Sequence, residues 1–190
     1  AIGVDVHIGS QIGELGPMRA AFEKTLGMVK DLRAAGHDLQ RIDLGGGLGI
    51  PYRDSDSPAT PADYAQMIRE VTEGLGLQVI LEPGRVIAGN AGVMVSEVLY
   101  HKPAPDRTFL ILDAGMNDLM RPALYQAHHD ILPLQEPNAE TAQTSYDIVG
   151  PICESTDKFA AQRDMPEVPA GSRIAFMSSG AYGAVLSSQY

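Results

Sequence analysis

The sequence holds a single cysteine, Cys153, no run of Lys or Arg, and no apolar stretch near the roughly 20 residues of a membrane-crossing helix. Each absence excludes something. One cysteine cannot form an intrachain disulfide, so a reducing compartment is the natural setting and the cytosol the default expectation. The basic residues are scattered and outnumbered, leaving a formal net charge of −10, which sets aside a nucleic-acid backbone or an anionic membrane as the principal partner. The opening residues lack the basic segment and apolar run of an export signal. No spacing of His, Cys, Asp or Glu fits a metal site, and no low-complexity tract is present. Small molecules and proteins remain as partners, on a chain long enough for one domain or two small ones.

What is present begins with a rhythm. Apolar, β-branched runs at residues 2–6, 41–44 and 77–81 recur at near-equal intervals, with helical patterns between them, which predicts βα units and parallel strands. Met18, Phe22, Leu26, Val29 and Leu32 fall at steps of three and four, predicting a helix over residues 17–35 closed by Gly36. Thr60, Pro61 and Asp63 announce a second helix with a capping box, and Tyr64, Ile68 and Val71 give its buried face. Beyond about residue 88 the runs at 93–100, 108–112, 146–149 and 174–177 have no helices between them, which predicts an antiparallel β domain. Residues 128–144 read as a loop, with the neighbouring His128 and His129 as solvated loop residues.

Chemistry on parallel α/β proteins sits at the carboxyl ends of strands, and all three predicted ends are polar or glycine-rich. The first leads into His7-Ile8-Gly9-Ser10-Gln11, a plain polar turn or a site with an imidazole and a hydroxyl. The second leads into Gly45-Gly46-Gly47-Leu48-Gly49, a flexible turn or a backbone cradle for phosphate. The third leads into Glu82-Pro83-Gly84-Arg85, where carboxylate and guanidinium form an ion pair or serve a cofactor with both a phosphate and a basic ring nitrogen. Further on, Asp113 to Asp118 and Met120 to Tyr125 are dense in polar residues and glycine. A lone cysteine such as Cys153 is more often a small buried apolar residue than an acid.

Taken in order, His7-Ile8-Gly9-Ser10-Gln11, Gly45-Gly46-Gly47, Glu82-Pro83-Gly84-Arg85, Asp113-Ala114-Gly115-Met116-Asn117-Asp118, Met120-Arg121-Pro122-Ala123-Leu124-Tyr125, Cys153-Glu154-Ser155 and Ala181-Tyr182-Gly183 resemble the diaminopimelate decarboxylases, pyridoxal-phosphate enzymes with an alanine-racemase-like barrel. The resemblance implies an α/β plus β fold: residues 1–88 as later βα units of a partial TIM-type barrel, and residues 89–190 as an incomplete antiparallel β domain. It implies pyridoxal 5'-phosphate as cofactor. The phosphate would rest on backbone N–H groups at Gly47 and around Pro83, Gly84 and Arg85, with Ser10 as a further donor. His7 would lie against the ring and Glu82 would pair with the pyridine nitrogen. Arg85 and Arg121, assisted by Tyr125, would take substrate carboxylates, Glu154 the distal ammonium, and Tyr182 would close the site over cofactor and substrate. Cys153 would be the catalytic general acid. The implied reaction converts meso-2,6-diaminopimelate to L-lysine and carbon dioxide, in a homodimer whose cysteine loop reaches the neighbouring subunit's site.

One departure stands out. The family's covalent lysine lies in an early barrel strand within an Ala-Lys-Ala-like motif, and Lys24, Lys30, Lys102 and Lys158 match no such position. The expectation is therefore a middle-to-C-terminal part of such an enzyme, unable by itself to hold the cofactor covalently and inactive alone. The alternatives are a relative acting on ornithine, arginine or carboxynorspermidine, and a non-catalytic homologue that binds pyridoxal phosphate. Glu154 beside Cys153 and the Met120-Arg121-Pro122 segment favour the diaminopimelate site over the former, since a substrate without a distal carboxylate has less use for two arginines.

Overall fold

Apolar runs and amphipathic stretches alternate through the first half of the chain, and the computed structural model, which describes residues 1–190, turns them into strands and helices in that order. Strands β1 (Gly3–Asp5), β2 (Arg41–Asp43) and β3 (Gln78–Ile80) pair in parallel in chain order, with Asp5, Asp43 and Ile80 aligned at their carboxyl ends. Parallel pairing needs long crossovers, and helices α1 (Leu15–Ala34) and α2 (Pro61–Thr72) provide them. The stripe of α1 buries Met18, Phe22, Leu26 and Val29, and Gly36 follows its end with φ of +91°. At the start of α2 the Thr60 hydroxyl accepts from the Asp63 amide while the Asp63 carboxylate accepts from the Thr60 amide. The Thr60 hydroxyl also donates to the Asp63 carboxylate at 2.6 Å, and this bond first, then that from the Thr60 amide, holds the Asp63 carboxyl below its ordinary value. Tyr64, Met67 and Ile68 then join Phe22, Ile42 and Leu44 in one core, and a single-turn helix, α3 (Arg85–Ala88), follows β3. This unit comprises Ala1–Ile87, and Ala88–Tyr190 forms a second.

The second unit is built on six strands: β4 (Met94–Ala104), β5 (Arg107–Leu112), β6 (Ile131–Pro133), β7 (Gln143–Val149), β8 (Lys158–Pro166) and β9 (Arg173–Phe176). Their order in the sheet is β6-β9-β4-β5-β7-β8. The expected antiparallel domain proves mixed, because β5 and β7 run parallel, Thr108 to Ile111 against Tyr146 to Val149. Residues 113–142 make this possible. They carry the chain through the short helix α4 (Arg121–Tyr125) to β6 on the far edge, so that β7 returns alongside β5 in the same direction. Strand β6 thus lies inside the segment that reads as loop, and its three residues owe their conformation to pairing with β9. Val98, Leu110, Leu112, Tyr146, Ile148, Ile174 and Phe176 form the core, with the Phe159 and Phe176 rings 4.7 Å apart.

Ile148 is fully buried and stands between Leu110 and Ala160 in the sheet. Ile148→Ala is expected to lower stability by about 2–5 kcal/mol in urea denaturation, and a loss under about 1 kcal/mol would mean that the core closes around the change.

Candidate functional site

Parallel pairing sends the loops at residues 7–10, 45–49 and 82–85 off one edge of the first sheet. Glycine lets these loops touch. A Cβ on Gly46 would lie 2.2 Å from the Glu82 carbonyl oxygen, and one on Gly47, whose φ is +103°, would lie 2.2 Å from that of Gly9. Backbone bonds join the loops: Ile12 N donates to Gly47 O at 2.9 Å, Gly49 N to Ile12 O at 2.9 Å, and Glu82 N to Gly45 O at 2.8 Å. Gln11 adds a clasp, its side chain accepting from Ile50 N at 3.2 Å and donating to Ile50 O at 2.7 Å.

On this platform the Arg85 guanidinium donates to Ser10 Oγ at 3.1 Å and to the Tyr52 hydroxyl, over whose ring it lies 5.8 Å from the centroid. The Gly46 N–H donates to His7 Nδ1 at 3.3 Å, which leaves the ring proton on Nε2. Carboxylate oxygens of Asp5, Asp43 and Glu82 converge within 4.8 Å of one another, and Asp43 also accepts from Gly45 N at 2.9 Å. A guanidinium, a hydroxyl and glycine backbone suit a phosphate, and gathered carboxylates suit a protonated ring nitrogen.

In the second unit, Arg121 opens α4 and is only 6% exposed. Its Nη1 donates to His129 Nε2 at 2.7 Å, and His129 Nδ1 donates to the Met177 carbonyl at 2.8 Å, which fixes the neutral tautomer. Burial first, and then the Arg121 charge, push His129 down to about 4. Its reading as a solvated loop residue is therefore overturned: His129 is 2% exposed, because the chain turns at Gln126, with φ of +53°, and runs inward to β6. His128 is half-buried between Asp130, at 2.7 Å, and Arg163, at 3.1 Å.

Cys153 and Glu154 are exposed on the turn between β7 and β8, where the Tyr190 hydroxyl donates to Glu154 Oε2 at 2.9 Å. The exposure of Cys153 runs against the habit of lone cysteines to be buried. Pro122, Ala123 and Gln126 line one cleft with Ser155 and Thr156, so α4 and the turn that follows Cys153 meet there. Tyr125 is exposed on α4, and Tyr182 is exposed after β9 with φ of +58°. The structure thus gathers His7, Ser10, Gly47 and Glu82 to Arg85 on the first unit, and sets Arg121, Tyr125, Cys153, Glu154 and Tyr182 in the second. Lys24 and Lys30 lie on α1, Lys102 on β4 and Lys158 on β8, none of them on the strand-end loops of the first unit. Tyr52 and His129 join these groupings without any periodicity or motif that singles them out in the sequence.

Residues 10–180 match the family described as pyridoxal-dependent decarboxylase, C-terminal sheet domain. The chain belongs to the pyridoxal-dependent decarboxylases. It is 43% identical over 189 residues to the diaminopimelate decarboxylase of Aquifex aeolicus, matching all of this chain to 44% of that protein. With the diaminopimelate decarboxylase of Zymomonas mobilis it shares 47% identity over 190 residues, 99% of this chain and 44% of that protein. The crystal structure of diaminopimelate decarboxylase from Helicobacter pylori complexed with L-lysine superposes with a TM-score of 0.92 at 41% identity, covering 100% of this chain and 46% of that one. The chain therefore spans less than half the length of these relatives. Pyridoxal phosphate is the cofactor of a pyridoxal-dependent decarboxylase, and the first unit fits it: its anion donors stand on glycines whose missing side chains keep the loops in contact, beside the Glu82 carboxylate.

Two outcomes follow from this geometry. In the intact protein Gly46→Ala is expected to weaken pyridoxal-phosphate binding at least about tenfold in an absorbance titration, and unchanged affinity would show that the loops part without cost. Because the folded-state value of His129 is lowered, the unfolded chain binds the extra proton first as pH falls. The stabilisation is complete above about 6.5 and declines as pH falls towards about 4. Urea midpoints at pH 7 and pH 5 should therefore differ more in the wild type than in His129→Gln.

Proposed function

We propose that the intact protein of which these residues form part removes carbon dioxide from meso-2,6-diaminopimelate to give L-lysine. The observation that carries this reading is identity of 43% and 47%, over essentially the whole chain, to enzymes named diaminopimelate decarboxylase. The side-chain chemistry agrees with it. A substrate with an amino-acid head at each end needs two cationic partners for its carboxylates and an anionic one for its distal ammonium, which Arg85, Arg121 and Glu154 supply, with Tyr125 assisting.

Pyridoxal phosphate, when bound, supplies the sink for the electron pair that carbon dioxide leaves behind. Ser10, the Gly47 amide and the Pro83-Gly84-Arg85 turn would hold its phosphate, and His7 would serve its ring. Glu82 would keep the pyridine nitrogen protonated, which deepens the sink. Tyr182 would close the site near the cofactor. The Cys153 thiol returns the proton to the carbon that lost the carboxylate, and solvent re-protonates the thiolate.

In the same reading, residues 1–88 are later βα units of a TIM-type barrel, which the all-parallel sheet and helical crossovers support. Residues 89–190 belong to the C-terminal β domain. The intact enzyme is a homodimer in which the exposed Cys153 turn reaches the neighbouring subunit's site. The cytosol suits an exposed thiol, and no helix of the chain is long and apolar enough to cross a membrane.

Carbon dioxide release from meso-diaminopimelate by the intact protein tests the proposal, with Cys153→Ala expected to lower kcat about 10²- to 10⁴-fold. Preference for L-ornithine would move the protein to the related decarboxylases, and no release from any amine would identify a non-catalytic homologue.

A further inference from the structure

We infer that Asp157 is the positioning residue of the Cys153-Glu154 turn and acts on the reaction through Cys153; the inference rests on the function proposed above. Asp157 is 3% exposed, and both of its oxygens accept from backbone amides: Oδ1 from Met116 N at 2.6 Å and Oδ2 from Ile152 N at 2.7 Å. The second of these amides belongs to the residue just before Cys153. The first belongs to the turn after β5. One carboxylate therefore ties the cysteine turn to a neighbouring part of the second unit.

The surrounding backbone is arranged about the same residue. Gly150 N donates to Asp157 O at 3.2 Å, Asp157 N to Glu154 O at 3.0 Å, and Glu154 N to Ile152 O at 2.8 Å. A Cβ on Gly150 would lie 2.4 Å from Asp157 Oδ2, so the carboxylate fills the space that a side chain there would need. Ile152 likewise fills the space beside Gly115, 2.8 Å from the site of a Cβ. The Cys153 side chain itself is exposed, so the place of its thiol is set through the backbone that Asp157 holds. A proton donor must stand within hydrogen-bond reach of the carbon it serves, and a misplacement of about 1 Å can cost on the order of 10²-fold in rate.

Asparagine at this position keeps the shape but replaces one acceptor with an NH2 group, which would face an amide N–H, donor against donor. In the intact protein, Asp157→Asn is expected to leave pyridoxal-phosphate affinity unchanged while lowering kcat for meso-diaminopimelate by about 10- to 100-fold. In a Cys153→Ala background the same change should cost less than about threefold, since residues acting as a unit are not additive. Gly150→Ala, which crowds the carboxylate without removing it, should give the same signature and serves if Asp157→Asn fails to fold. Equal losses with and without Cys153, or unchanged kcat, would overturn the inference. Should the intact protein release no carbon dioxide, the proposed function fails, and the rate of Cys153 alkylation by iodoacetamide, followed by peptide mass, still decides the positioning. A rate altered by Asp157→Asn supports it, and an unaltered rate overturns it.

Discussion

A side chain on Gly46 or Gly47 would strike a backbone carbonyl on a neighbouring loop at 2.2 Å. The functional surface of the first unit depends on that intimacy. Three-residue strands offer few ladder bonds, and what extends their alignment beyond Asp5, Asp43 and Ile80 is the contact of the loops themselves, Gly47 against Gly9 and Ile12, Gly45 and Gly46 against Glu82. With the loops locked in this way, Ser10, Tyr52 and Arg85 share hydrogen bonds, and the carboxylates of Asp5, Asp43 and Glu82 converge. Glycine here is a spacing device: it sets how near three loops approach, and therefore where their side chains stand.

The acidic excess has a comparable structural role. Many of the carboxylates accept from loop backbone, which their two acceptor oxygens suit them to do. Asp56 takes the amides of Tyr52 and Arg53, Asp118 that of Gly115, and Asp157 those of Met116 and Ile152. Asp113 accepts from the Ser96 hydroxyl and the Glu97 amide, and these bonds hold its carboxyl below the ordinary value. A net charge of −10 thus marks loops that are stitched from within as much as it excludes polyanionic partners.

Local elements were legible wherever a short-range pattern controlled them. The stripe on α1, the capping box at Thr60 and the three parallel runs needed only neighbours in sequence, and each lies within two residues of its predicted start. Strand β6 was not legible, because pairing with β9 across the unit makes it a strand. The parallel course of β5 and β7 was hidden for the same reason, since runs of apolar residues do not record direction. His129 reads as loop because nothing local announces that Arg121 and the Met177 carbonyl will enclose it.

The sequence by itself determined the elements of the first unit, the family through an ordered set of motifs, and the chemical types gathered at the strand ends. Those depend on composition, periodicity and spacing, which are properties of the chain. Tertiary structure alone decided which of those residues meet: Arg85 and Ser10 stand 75 positions apart and Arg85 and Tyr52 stand 33 apart, yet they share hydrogen bonds. It also decided that His129 would be buried and neutral, and that Asp157 would hold the cysteine turn by its backbone. The physical reason is that a hydrogen bond, a close glycine contact and a lost hydration shell are fixed by distance in space, and the order of residues sets that distance only after the whole unit has packed.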